Sequence, residues 1–446
     1  MKRTRLEKIF LFTVIIFLIL ITAEFYFHDN IHHLLFHKTH PPIKMGILHS
    51  LTGTMAISEK PVVDATLLAI EEINSQGGLL GSKIEPVIAD GRSDPAFFAK
   101  EAERLITREN VKVIFGCWTS ASRKSVKPVV EKYNSLLFYP VQYEGLERSS
   151  NIIYMGASPN QQIIPAVNWA FKNLGKKFFL IGLDYVFPRA ANDMAKSVIG
   201  FAGGEILAEE YVLLGNSDFS KIVDKIRETK PDVILNTLNG DSNIAFLETL
   251  YNTGLFKTDI SIMSLSMEEN EIKSFLDRMK TAGKNNILKE HMPGLYACWS
   301  YFETIDSPNN RRFVEKFVNR YGPNIRITDP MEAASIGVNL WYRSVKECGD
   351  TDNSTNITNH LHNISFPAPE GIVSVYYNNH AGKTVRIGKV NANGAFDIVW
   401  ASNSPIDPVP YPSFRDKTYW EAFLKTLYKR YNGQWSAGKT RADTDE

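Results

Sequence analysis

The sequence predicts an α/β protein built from two doubly wound lobes. Three observations carry that prediction. The chain has 446 residues, more than one hydrophobic core usually organises. Short β-branched strands alternate with amphipathic helices from Ile43 onward, the mark of βαβ units around a parallel sheet. That alternation halts near residue 158 and starts afresh near residue 176.

In the first run, IKMGILHSL reads as a strand and Pro61 opens a helix, PVVDATLLAIEEINSQGG, that closes on glycines. KIEPVIAD, VKVIFG and LLFYP read as further strands, separated by the helices PAFFAKEAERLITREN and SASRKSVKPVVEKYN. The second run takes KKFFLIGLDY, EILAEEYVLL, DVILNTL and ISIMSLS as strands, with helices over 187–201, over DFSKIVDKIRETK and from Asp241. GLYACWSYF and the helices SPNNRRFVEKFVNRYG and DPMEAASIGVNLWYRSVKECG come next. Residues 370–405 then alternate like antiparallel strands, with a turn at Asn393-Gly394. Beyond Pro412 an aromatic helix (KTYWEAFLKTLYKRY) is expected, then a disordered polar tail.

Ahead of the body, Lys2, Arg3, Arg5 and Lys8 precede the apolar run IFLFTVIIFLILITA. Residues 1–27 thus read as a signal anchor or signal peptide that sends the body out of the cytoplasm. Ile21 stands where cleavage after Ala23 would want a small residue. A spacer, 28–42, holds His28, His32, His33, His37 and His40 of the ten histidines. If helical, His28/His32 and His33/His37 would stand one turn apart, the spacing of a metal clamp; the plainer reading is a polar linker.

Lys plus Arg (50) nearly cancel Asp plus Glu (49), which argues against nucleic acid or a strongly charged solute as partner. Cys117, Cys298 and Cys348 are too scattered for a disulfide framework or zinc site and read as packing residues. Catalysis and a resident cofactor are not expected. The body has no P-loop, H-E-x-x-H or G-x-S-x-G motif, and Cys117 lacks a neighbouring His. Asn353, Asn356 and Asn363 begin N-x-S/T triplets to which no function attaches.

The residues at the strand ends carry a resemblance. GILHSLTGTMAISE (46–59), GCWTSASRK (116–124), LLFYPVQYEGLE (136–147), SPNQQIIPAVNW (158–169), GLDYVFPRAAN (182–192), LNTLNGDSN (235–243) and the APEG…NNH…RIG series (368–388) occur in order. Together they resemble the urea and short-chain amide binding proteins of ABC transporters, within the type I periplasmic binding proteins. Relatives include branched-chain amino acid binders and a cytoplasmic amide sensor. The resemblance implies two Rossmann-like lobes joined by three hinge crossings, near 156–162, 292–299 and 358–368. Lobe one would be 43–158 plus 298–360, lobe two 159–295 plus 366–412, and 413–446 a helix and tail.

It also implies an extracytoplasmic protein that captures urea, acetamide or formamide between its lobes for permease subunits, tethered to the membrane through its N-terminal segment. An amide-sensing receptor and a branched-chain amino acid binder remain open. Such a cleft needs a donor for the ligand carbonyl, acceptors for its N–H groups and flat aromatic walls. Trp118, Ser120, Tyr139 and Tyr185 match the family's ligand-contact positions. Val141 falls where the sensor relative has threonine, so Gln142 is the substitute candidate. From lobe two, Asn239, Asp241 and Glu268 are the expected acceptors, with helix capping the alternative reading of both acids. Arg123 and Lys124 resemble an anion site for an amino-acid carboxylate, but the resemblance implies a place on the helix surface, outside the site.

Overall fold

The computed structural model describes residues 41–284 and 294–438, together with Phe10, Thr13, Phe17 and Ile287. Most of the expected membrane segment and the histidine-bearing part of the spacer lie outside the described residues. Among the described residues no helix is long and apolar enough to cross a membrane.

The first lobe begins with β1 (Ile43–His49), α1 (Ala56–Ser75), β2 (Ile84–Asp90), α2 (Pro95–Thr107), β3 (Ile114–Gly116), α3 (Ser120–Lys132), β4 (Leu137–Tyr139) and β5 (Ile152–Tyr154). Its strands form one parallel sheet in the order β2-β1-β3-β4-β5. Alternation along β1 decides its two faces. Met45 and Ile47 enter one core cluster and Leu48 the other, as a strand's period of two requires. Helix α1 starts earlier than Pro61 suggested, at Ala56. The reason lies in Glu59, whose carboxylate takes the Ser50 amide at 2.8 Å and pairs with His49 Nδ1 at 3.0 Å, drawing the first turn onto the end of β1.

The chain crosses after β5 and builds the second lobe from α4 (Ile163–Asn173), β6 (Lys177–Leu183), α5 (Val186–Ala202), β7 (Glu205–Val212), α6 (Ser220–Thr229), β8 (Val233–Thr237), α7 (Asp241–Asn252), β9 (Ser261–Ser264), α8 (Glu269–Thr281) and β10 (Leu295–Trp299). It returns for α9 (Pro308–Tyr321), α10 (Asp329–Cys348), α11 (Ser354–Leu361) and the hairpin β11 (Ser365–Ala368) with β12 (Gly371–Ser374). Antiparallel β13 (Arg386–Val390) and β14 (Phe396–Ala401) then extend the second sheet, whose order is β14-β13-β10-β9-β8-β6-β7. Helix α12 (Lys417–Arg430) packs on the second lobe, burying Trp420 in its core.

Two expected boundaries are corrected. Strand β10 pairs with β9 and β13 through Trp299, so the return to lobe one falls just beyond the expected 292–299. The third crossing falls near 381–386 rather than 358–368. Ala368, Val373, Val375 and Ala381 sit in the lobe-one core, and the Tyr154 amide bonds Asn379 O at 2.8 Å. The hairpin covers the α10 side of the first sheet, and short apolar strands look alike in sequence whichever lobe they join.

A further correction concerns the tail. Trp435 and Ala437 pack against the second core, while Asn432, Gly433, Gln434 and Gly438 stay exposed; residues 439–446 lie outside the described residues.

Candidate functional site

The carboxyl ends of β1, β3 and β4 face those of β6, β8 and β9, the location where open α/β sheets bind ligands. The lobes are closed on one another. Trp118 Nε1 of lobe one donates to Asn239 Oδ1 of lobe two at 3.2 Å. Gln142 Nε2 donates to Leu265 O at 2.8 Å, Ser58 Oγ to Glu271 Oε1 at 3.2 Å, and the Asp241 amide to Thr54 O at 3.2 Å. Gly240 lets that last contact form. A Cβ there would lie 2.4 Å from Thr54 O, and its φ is +61°, so any side chain would wedge the lobes apart.

The site is built by sharp turns at strand ends. Cys117 holds a left-handed φ of +66°, which turns the chain between β3 and α3 and directs Trp118 to the junction. Tyr139 ends β4, and its hydroxyl donates to Trp118 O at 2.5 Å. Tyr185 comes just after β6, and its hydroxyl accepts from Asn239 Nδ2 at 3.1 Å. Trp118, Tyr139, Tyr185 and Asn239 are all buried, none more than 4% exposed. Burial pushes both phenols up, beyond any physiological titration. They therefore present neutral, flat rings at the junction.

Ser120 opens α3 and is not a free hydroxyl. It donates to Glu144 and accepts from Arg123 Nη1 at 3.0 Å. The structure overturns the expectation that Arg123 and Lys124 lie on the surface. Arg123 is fully buried, with Nη2 3.1 Å from Glu144 and Nε 3.0 Å from Glu147. Lys124 Nζ reaches Glu147 at 2.8 Å and Glu144 at 3.6 Å. The guanidinium also stacks over the rings of Tyr139 and Tyr143, at 4.8 and 4.5 Å, a cation–π arrangement. Burial alone would raise the Glu147 carboxyl, but the Arg123 and Lys124 charges hold it well below the usual carboxylate range. Two cations and two carboxylates thus neutralise each other in a dry lobe-one quartet.

On the lobe-two side the balance is different. Glu268 precedes α8 fully buried, and neither carboxylate oxygen has a hydrogen-bond partner of good geometry. Burial, reinforced by Glu271, raises its carboxyl well above the ordinary range. Glu269 Oε1 is likewise buried and unpartnered. Glu271 is satisfied: it accepts from Gly240 N, Asn243 Nδ2 and Ser58 Oγ. Burial still pushes it up to about 8. Gln142 Oε1 and Gln162 Oε1 are buried acceptors without a partner as well. Among the described residues no three His, Cys, Asp or Glu side chains are arranged to hold a metal ion.

Of the residues expected from sequence, the structure brings Trp118, Tyr139, Tyr185 and Asn239 into direct or shared contact and sets Ser120 behind them in the charge quartet. Gln142 bridges the lobes. Asp241 is not brought in: its carboxylate, 46% exposed, pairs with Arg278 at 3.1 Å. Its position at the start of α7 turns the side chain outward, and only its amide faces lobe one. The buried acid that bonds to the start of α7 is Glu271, three residues after the expected Glu268, and sequence reasoning missed it. Glu144 and Glu147 were missed too. Their signal was a pair of acids in the loop facing the adjacent cations of α3.

Two lobes with facing strand ends, closed over a buried polar junction, define a protein that holds a small solute in a cleft. In agreement, residues 43–417 match the periplasmic binding protein domain family, and the chain belongs to it. A Leu/Ile/Val-binding protein homolog of Brucella melitensis is 21% identical over 75% of this chain and 83% of its own. A limonene hydroxylase of Geobacillus stearothermophilus is 37% identical over 27% of this chain, and the match spans only 22% of that protein. Among solved structures, an ABC transporter solute binding protein of Rhodopseudomonas palustris in complex with 3,4-dihydroxybenzoic acid superposes with a TM-score of 0.71. It is 21% identical, over 82% of this chain and 99% of its own. A leucine binding protein of Thermotoga maritima gives 0.68 at 20% identity, over 81% and 99%. At these identities the structures bear on the fold alone.

Proposed function

We propose that this protein captures a small neutral solute rich in N–H groups, urea or a short-chain amide, and presents it to the permease of an ABC importer. One observation carries the reading: the buried cations beside the site are already paired, while Glu268 and Gln142 hold buried acceptor oxygens without a partner. A carboxylate ligand needs a free cation or several donors, and Arg123 and Lys124 are committed to Glu144 and Glu147. Glu268 and Gln142 offer acceptor oxygens that a ligand's N–H groups would satisfy. A buried acceptor left unmade costs about 1–3 kcal/mol, so such a ligand binds with that much in its favour. Trp118, Tyr139 and Tyr185 supply the walls for a solute with little apolar surface of its own.

A second reading has support in the names of the Brucella and Thermotoga relatives. In it, Glu268 would face the ammonium of a branched-chain amino acid. Calorimetric titration with urea, acetamide, formamide, leucine and isoleucine separates the two. One-to-one binding of an amide, weakened about tenfold or more in Tyr185→Ala and in Glu268→Leu, is the expected result. Binding of leucine or isoleucine alone would overturn the amide assignment and leave the fold untouched.

A further inference from the structure

The segment beyond β14 returns to the cleft. Residues 402–412 run along lobe one, where Ile406 and Lys383 exchange backbone hydrogen bonds and Leu146 N donates to Pro410 O at 2.8 Å. Helix α12 then packs on lobe two, with Trp420 Nε1 bonded to Pro412 O at 3.1 Å. Residues 431–437, just past α12, grip both sides of Tyr185. Tyr431 OH donates to Asp184 Oδ1 at 2.6 Å. Val186 N donates to Trp435 O, and Ala437 N to Asp184 O, both at 2.9 Å. Tyr185 and Ser436 form a strand-like bridge. The Trp435 ring lies against Tyr428, centroids 4.8 Å apart, and on its other contact receives Lys124 Nζ at 4.8 Å. Lys124 belongs to lobe one, so one indole touches the charge quartet of one lobe while its backbone holds the aromatic wall of the other.

We propose that residues 431–437 are a working part of the binding site, with Tyr431 and Trp435 as positioning residues that fix Tyr185 and govern how readily the lobes part. This deepens the cleft reading above and rests on it. Tyr185 sits just past the end of β6, where residues 431–437 supply the neighbour on one side. The added segment satisfies the amide of Val186. The Lys124–Trp435 contact spans the closed lobes. A cation–π contact of a desolvated lysine is strong enough to change the closed-state lifetime about tenfold.

The test uses the full chain and the variants Trp435→Ala, Trp435→Phe and Tyr431→Phe, with thermal melting to verify folding. Hydrogen exchange of peptide 182–190 is monitored without ligand, and acetamide dissociation by stopped flow. Trp435→Ala is expected to speed both exchange at Val186 and acetamide release about tenfold. Tyr431→Phe should give a smaller change of the same sign, and Trp435→Phe should restore most of the loss. Unchanged exchange overturns the proposal. So does faster exchange with unaltered release, since the segment would then be packing alone. If the parent protein binds neither urea nor an amide, the ligand assignment falls separately. The lobe separation of Trp435→Ala, read from a pair of spin labels, then decides: a wider separation supports the strap and an unchanged one overturns it.

Discussion

Each lobe meets the cleft with the same architecture, a strand end turning into a helix, yet the two settle their buried charge in opposite ways. In lobe one, α3 places Arg123 and Lys124 where the loop after β4 places Glu144 and Glu147. In lobe two, the start of α8 carries Glu268, Glu269 and Glu271, with no cation bonded to any of them among the described residues. Desolvating a charge is costly unless it is paired. The lobe-one groups are paired and rigidly bonded, whereas burial raises the carboxyls of the lobe-two acids. The contrast teaches that the first cluster is a frame, while the second holds the buried acceptors on which the proposed amide site rests.

The sharpest way to break this comparison is Arg123→Met. It leaves Glu144 and Glu147 buried with Lys124 alone, and truncating one partner of a buried ion network costs about 3–5 kcal/mol. Denaturant unfolding at neutral pH measures it, and a loss under about 1 kcal/mol would mean that the quartet is no frame.

The next effect is in pH. Glu271 is raised by burial to about 8 from the ordinary 4.5, so the folded state binds the proton more tightly than the unfolded chain. Its stabilising contribution is full below about pH 4.5 and is lost as pH climbs through 8, a slope of at most about 1.4 kcal/mol per unit from one proton. Glu271→Gln should flatten the stability profile between about pH 5 and 8. The acid limb has other sources and should persist. His380 is lowered by burial to about 4, and Glu147 is held low by its cations against its own burial. Both contribute stability that disappears as pH falls through their folded values.

The smallest change is expected from Asp241→Asn. Its pair with Arg278 is half exposed, and such bridges contribute about 0–1 kcal/mol. Melting temperature and amide affinity should both stay near the parent's; a tenfold loss of affinity would return Asp241 to the site.

Much of the fold was readable because its signals are local. The run of apolar residues in β1, β6 and β8 reflects strands covered on both faces, as in parallel sheets. Glycines and prolines punctuated the helices. At the site, Trp118, Tyr139, Tyr185 and Asn239 were reachable because strand ends are where this architecture gathers its ligand groups. Asp241 was not separable from Glu271 by that logic. Both acids begin helices after strands, and only the outward turn at α7 distinguishes them. The family resemblance alone places Arg123 on the surface, and it carries no information on the acids, Glu144 and Glu147, that claim it.

The sequence by itself determined the alternation of strands and helices, the two sheets they imply and the residues at their carboxyl ends. These arise from side-chain period, turn chemistry and apolar runs, properties of neighbouring residues. Only the tertiary structure decided which lobe owns the 365–381 hairpin, that Arg123 is neutralised by Glu144 and Glu147, and that Trp435 returns to Tyr185. Each of these depends on surfaces brought together over about 20 to 250 residues of chain. Their energy lies in desolvation and pairing, which no local pattern of residues encodes.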